Sequence, residues 1–178
     1  MEEKKEHGPD LAYLAGKYLT FKLADEGYGL EILKVQEIIG MMSITRMPRT
    51  PDFVRGVINL RGKVIPVIDL RLKFGFEAKE DTDRTCIIVV QVESTSDHSV
   101  IMGIIVDEVS EVLDIQAEQI EPAPSFGSSV DTDFILGMGK ASQKVIMLLD
   151  VDKVMSKNEI DTLKSASGNS SPANQQKE

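Results

Sequence analysis

The chain carries one pattern twice. Tyr28-Gly29-Leu30-Glu31-Ile32-Leu33-Lys34-Val35-Gln36-Glu37-Ile38-Ile39 aligns with Met102-Gly103-Ile104-Ile105-Val106-Asp107-Glu108-Val109-Ser110-Glu111-Val112-Leu113 at an offset of 74. Lys63-Val64-Ile65-Pro66-Val67-Ile68-Asp69-Leu70 aligns with Lys144-Val145-Ile146-Met147-Leu148-Leu149-Asp150-Val151 at an offset of 81. Gly56 meets Gly137 at that second offset, so one loop has changed length between the blocks. A twofold repeat of strand-like blocks predicts two similar small units. Each repeat spans about 75 residues, a size that buries only ~60% of its unfolded surface. The halves are therefore expected to pack on each other as two lobes of one body.

Period-two patterning sets the fold class. Leu19, Phe21 and Leu23 alternate with Tyr18, Thr20 and Lys22, and Tyr28, Leu30 and Ile32 return after the turn Asp25-Glu26-Gly27. Val35-Gln36-Glu37-Ile38-Ile39 fits a helical turn or a continuing strand, and Ile44-Thr45-Arg46-Met47-Pro48 reads as strand-like. Arg61-Gly62-Lys63 reads as a three-residue hairpin loop between two strands. Pro66 cannot donate to a ladder, which predicts an edge strand or a bulge. Asp69 caps a single helical turn that Gly75 stops. Cys86-Ile87-Ile88-Val89-Val90-Gln91-Val92 is a strand buried on both faces. About five short strands per half predict a mostly β chain of two small barrels with a few short helices.

The expected organisation is a flexible tail over residues 1–15, lobes over about 16–80 and 81–157, and a short helix with a disordered tail over 158–178. With 42% apolar residues the chain can build a core. A formal net charge of −9 argues against a nucleic-acid partner and against an anionic membrane surface. Aromatic content of 5%, with no tryptophan, argues against a base-stacking groove. No run of 18 apolar residues spans a membrane. Cys86 is the only cysteine, so no intramolecular disulfide forms and a reducing, cytoplasmic compartment is expected.

No catalytic set emerges, and neither a metal nor a cofactor is called for. His7 falls in the tail and His98 in a polar turn; both read as inert. Cys86 reads as a buried, unreactive thiol. Asp107, Glu108, Glu111 and Asp114 lack calcium-loop spacing and read as a solvated face. Two charges stand out against the strand pattern. Arg61 is either a solvated hairpin residue or a fixed cation that forks onto a partner's carboxylate. Glu37, set between Val35 and Ile38-Ile39, is either an exposed acid or a specificity charge at an interface.

The stretch from Tyr28 through Ile39, with Pro51-Asp52-Phe53-Val54-Arg55-Gly56-Val57-Ile58-Asn59-Leu60-Arg61-Gly62 and Val64-Ile65-Pro66-Val67-Ile68-Asp69-Leu70, resembles the CheW family of chemotaxis coupling proteins. Ile104 to Val109 and Ile120-Glu121-Pro122-Ala123-Pro124 extend the resemblance, which covers about residues 17–155. It implies two intertwined five-stranded β-barrels sharing a hydrophobic core. It also implies a non-catalytic adaptor that couples the histidine kinase CheA to the cytoplasmic tips of membrane chemoreceptors, or a related chemosensory pathway with another output such as surface motility. The fold alone does not separate adaptor from kinase fragment. A chain this short leaves no room for an ATP-binding, phosphotransfer or receiver domain, so the adaptor is expected.

By position in the family, Glu37, Gly56, Asn59 and Arg61 are expected to meet receptor. Leu19, Ile32 and Val35 are expected on first-lobe surface facing the kinase regulatory domain. Phe126 is expected at ring contacts, which include other copies of the chain. Glu121 stands beside it where some members carry a basic residue. Between the halves, Asn59-Leu60-Arg61-Gly62 has no sequence counterpart in Gly139-Lys140-Ala141-Ser142-Gln143. The shared pattern thus supplies a scaffold, and the differing edges divide the partners.

Overall fold

The structure, a computed structural model, describes residues 11–93, 99–124 and 132–166. The first half supplies β1 (Gly16–Leu23), β2 (Glu26–Glu31), β3 (Val35–Gly40), β4 (Val54–Leu60), β5 (Lys63–Asp69) and the helical turn α1 (Leu70–Lys73). The second supplies β6 (Cys86–Glu93), β7 (Ser99–Val106), β8 (Glu108–Ile115), β9 (Ile120–Glu121), β10 (Ile135–Ala141) and β11 (Lys144–Leu149), then α2 (Val151–Val154) and α3 (Lys157–Ala166).

These strands form two sheets, ordered β3-β6-β7-β5-β4 and β8-β1-β2-β11-β10-β9. At the two sequence offsets β8 answers to β3, β2 to β7, β11 to β5 and β10 to β4, so both sheets have one order. Each contains the first hairpin of the opposite half. The exchange is fixed by two parallel pairings in equivalent register, Val67 with Gly103 and Leu148 with Gly29. Neither half can fold its sheet without the other.

Alternation along each strand then divides the core into three. In β6, Ile87 and Val89 point into the first sheet with Ile58, Ile65, Val67 and Ile105. Their neighbours Ile88, Val90 and Val92 join Leu19, Phe21, Leu30 and Ile104 in a cluster shared by both sheets. In β1, Tyr18 enters the second sheet's own core with Leu14, Ile115, Ile146 and Leu148. Burial of Tyr18 pushes its hydroxyl up to about 12, and that hydroxyl donates to the Leu14 carbonyl at 2.6 Å. Packing thus reaches back to Leu11 and Leu14, ahead of residue 16. Strands buried on both faces by two different cores explain why β1 is more covered than a half-buried strand.

Each sheet curls until the chain leaving one edge strand touches the other edge. After β3, Thr45 pairs with Val57 of β4. After β8, β9 pairs with β10 at Met138, the residue equivalent to Val57. The sixth strand of the second sheet is therefore the longer version of the Thr45 bridge, and closure of either barrel rests on these short contacts.

Several local expectations need correction. Residues 44–48 are not a strand beyond that single bridge, because Pro48 and the Arg49 turn (φ 60°) end it. The hairpin loop after Leu60 has two residues, Arg61 (φ 49°) and Gly62 (φ 86°), with Leu60 paired to Lys63. Ser142 (φ 50°) and Gln143 (φ 63°) make the same turn between β10 and β11, so the backbone is repeated where the side chains are not. Pro66 lies in an interior strand, but it faces β7 just before the parallel ladder starts at Val67. The bulge is in β4, between Val54 and Gly56. The expected cap is present, the Asp69 carboxylate accepting from Arg71 N at 3.0 Å.

Candidate functional site

β3 follows a 3-10 turn, Ile32–Lys34, and its outward residues alternate with inward ones. A register shift between Val35 and Glu37 makes Gln36 the extra residue. Across the first sheet's mouth, the β4–β5 turn projects Arg61. Its guanidinium takes Glu37 in a two-pronged pair: Nη1 donates to Oε2 at 3.3 Å, and Nη2 donates to Oε1. Arg61 is still 73% exposed, against 27% for Glu37. Two residues that the sequence left separately ambiguous thus form one feature, a cation anchored to an acid with its outer face in water.

Asn59 and Gly56 shape the support. The Asn59 side-chain oxygen accepts from Gly62 N at 2.8 Å and holds the turn that aims Arg61. Gly56 has φ 140°, and a Cβ there would lie 2.0 Å from the Thr45 carbonyl oxygen. Only glycine lets the closing segment cross β4. Glu37, Asn59 and Arg61 therefore gather around one sheet mouth, whereas Gly56 is buried beneath the Thr45 segment toward the other end of β4 and offers no surface, so its expected place at the receptor surface is corrected. Ile38, Met42 and Val64 are exposed apolar residues on the same sheet or its closing segment, at 45%, 38% and 45%.

The residues expected to face a kinase divide. Leu19 is 2% exposed and lies in the shared core, so it offers no surface; that placement is corrected, because Leu19 points to the same inward face of β1 as Phe21 and Leu23. Ile32 and Val35 are half-buried against the core. The exposed residue there is Leu33, at 93%, missed because the 3-10 turn breaks strand alternation after Glu31. Lys34 ties this turn to the second lobe through Asp152 at 2.9 Å. Burial pulls the Lys34 ammonium down, but its bond to Asp152 and nearby acids carry it above the usual lysine range. Phe126, His7 and His98 lie outside the described residues. Glu121 pairs with Lys140 at 2.7 Å on open surface, a contact of small energy.

Burial raises the Cys86 thiol, opposed by a backbone hydrogen bond at Val109. Among the described residues no group of His, Cys, Asp and Glu is placed to hold a metal, and no helix is long and apolar enough to cross a membrane. Asp107 does not belong to a solvated face: its carboxylate accepts from Arg71 at 3.2 Å and from Ala24 N at 2.8 Å.

Residues 17–159 match the model of the CheW-like domain. The chain belongs to that family. CheW-like adaptors are non-catalytic scaffolds of chemotaxis signalling, and this CheW-like chain is accordingly not an enzyme. The chemotaxis protein CheW of Klebsiella aerogenes is 42% identical over 144 residues, 81% of this chain and 84% of that protein. That of Rhizobium meliloti is 36% identical over 141 residues, 79% and 88% of the two chains. The crystal structure of the scaffolding protein TtCheW from Thermoanaerobacter tengcongensis superposes with a TM-score of 0.71 at 39% identity, covering 82% of this chain and 95% of that one. The two-sheet fold is therefore that of CheW.

Proposed function

We propose that the chain couples membrane chemoreceptors to the histidine kinase CheA, as a cytoplasmic adaptor recruited to receptor arrays. The observation that carries this reading is the likeness to chemotaxis scaffolds over about four-fifths of the chain. The first-sheet mouth, with the Arg61–Glu37 pair inside an apolar surround, meets the receptor tip. The Ile32-Leu33-Val35 surface meets the kinase regulatory domain, and other copies of the chain complete rings. One body holding both partners raises the effective concentration of kinase at the receptor. A signal passes only where the receptor's states bind the mouth unequally.

Co-sedimentation with a receptor-tip fragment and with the kinase regulatory domain tests the assignment. Arg61→Ala should weaken receptor binding by about 1–2 kcal/mol while kinase binding holds. Melting should shift little, because an exposed pair contributes about 0–1 kcal/mol to folding. Unchanged receptor affinity would return Arg61 to a solvated hairpin. Leu33→Glu should lower kinase affinity about tenfold or more, by placing a charge in an apolar contact. Its exposure keeps folding intact, and full kinase binding by this variant would remove the turn from that face.

A further inference from the structure

The second sheet has its own copy of the mouth, and its cation is missing. At the two offsets Glu111 stands where Glu37 stands, Ser142 where Arg61 stands and Val145 where Val64 stands. The backbone is conserved between the copies. Ser142 and Gln143 repeat the turn of Arg61 and Gly62, and the bulge at Gln36 recurs at β8, where the register with β1 shifts between Leu19 and Phe21. Thr20 locks this second bulge, its hydroxyl donating to the Glu111 carbonyl at 2.7 Å and accepting from Glu111 N at 3.1 Å. These two bonds fix the backbone of Glu111, whose side chain is exposed. Among the described residues, however, no cation lies within ion-pair distance of its carboxylate. Serine is too short to do what Arg61 does.

A groove of about 600 Å³ opens where the missing side chain would lie, walled by Thr20, Glu111, Leu113, Ser142, Val145 and Ile146. Val145 is 55% exposed on its rim. The charged side chains facing it are Asp25, Glu26 and Glu111 against Lys22 and Lys144, an excess of one negative charge. Lys22 is itself 4.0 Å from Glu108.

We propose that this groove is a docking slot for an arginine of a protein partner, which supplies between chains the guanidinium that Arg61 supplies within the first sheet. The planar fork of a guanidinium matches a carboxylate in two-pronged geometry, as Arg61 takes Glu37. Leu113, Val145 and Ile146 cover the aliphatic stem and the apolar residues flanking it. The inference does not depend on which partner occupies the first mouth, since it follows from the repeat and from Glu111.

The test titrates the full, isotope-labelled chain with a blocked tripeptide holding arginine between leucine and valine, read by amide chemical shifts. Saturable shifts are expected at Ser110, Glu111, Ser142 and Lys144, with millimolar affinity, as befits one exposed charge pair. Citrulline in place of arginine, or Glu111→Gln in the protein, should weaken binding about tenfold. Ser142→Arg should abolish it by placing a guanidinium on Glu111 within the chain; an arginine is accommodated at φ 49° in the equivalent turn. Glu37→Gln should leave it unchanged. Absence of saturable shifts, shifts confined to the first mouth, or equal binding of the citrulline peptide overturns the proposal.

Discussion

Arg71→Met is expected to lower the unfolding free energy by about 3–5 kcal/mol, the cost of leaving a buried charge without its partner. Arg71 is 2% exposed. Its Nε and Nη2 both donate to Asp69 at 2.9 Å, and it reaches Asp81 and Asp107 at 3.2 Å each. The bond to Asp69, set against burial, raises the guanidinium above the usual arginine range, so it stays charged. One side chain thereby joins the end of β5, the connection between halves and the β7–β8 corner. Methionine fills the volume but leaves Asp69, 2% exposed, with Arg55 at 3.2 Å as its one remaining cation beside the backbone N–H of residue 71. Urea unfolding measures the loss. Arg71→Met combined with Asp69→Asn should recover part of it, because asparagine still caps α1. A loss under about 1 kcal/mol would mean that the network contributes little net stability, as some buried ion networks do.

That network marks the boundary of what the sequence made legible. The repeat and the period-two runs specify strands, lobes and the sharing of a core, because burial with a fixed alternation is a local pattern. The mouth residues were also visible, since Glu37 and Arg61 interrupt apolar strands. Their pairing was not, because it joins positions 24 residues apart across a curled sheet. Arg71 gave no signal at all: in Leu70-Arg71-Leu72-Lys73 it looks like the polar face of a helical turn. The carboxylates that bury it come from chain segments up to 36 residues away. Leu19 failed for a different reason: alternation set it on the apolar face of β1 with Phe21 and Leu23, where the structure buries it, and only the position taken from the family resemblance put it on the surface. Side-chain roles set by two distant segments require the fold first.

Gly56→Ala should destabilise the chain by about 2–4 kcal/mol and weaken receptor binding with it. The backbone there has φ 140°, which costs any L side chain energy, and the new Cβ would sit 2.0 Å from Thr45 O and 2.7 Å from Thr45 C. Those are backbone atoms, so the closing segment must move as a unit. Its two hydrogen bonds, Thr45 N to Val57 O at 2.9 Å and Val57 N to Thr45 O at 2.8 Å, break when it does. Met41 and Ile44 pack on the first sheet's core from this segment, and Arg61 projects from the far end of the same strand. Gly137 provides the internal control. It is the equivalent position in the second sheet, its nearest neighbours are an Ile120 side-chain carbon at 3.0 Å and Glu121 O at 3.1 Å, and its φ is unremarkable. Gly137→Ala should therefore cost about 1 kcal/mol or less, since a few tenths of an ångström of movement relieves it. Hydrogen exchange separates local from global effects: the Val57 and Thr45 amides should lose protection in Gly56→Ala well before Val89 and Ile105 do. Equal destabilisation by the two substitutions would show that the Thr45 bridge does not close the barrel, and the first-sheet mouth would then owe its shape to the Arg61–Glu37 pair alone.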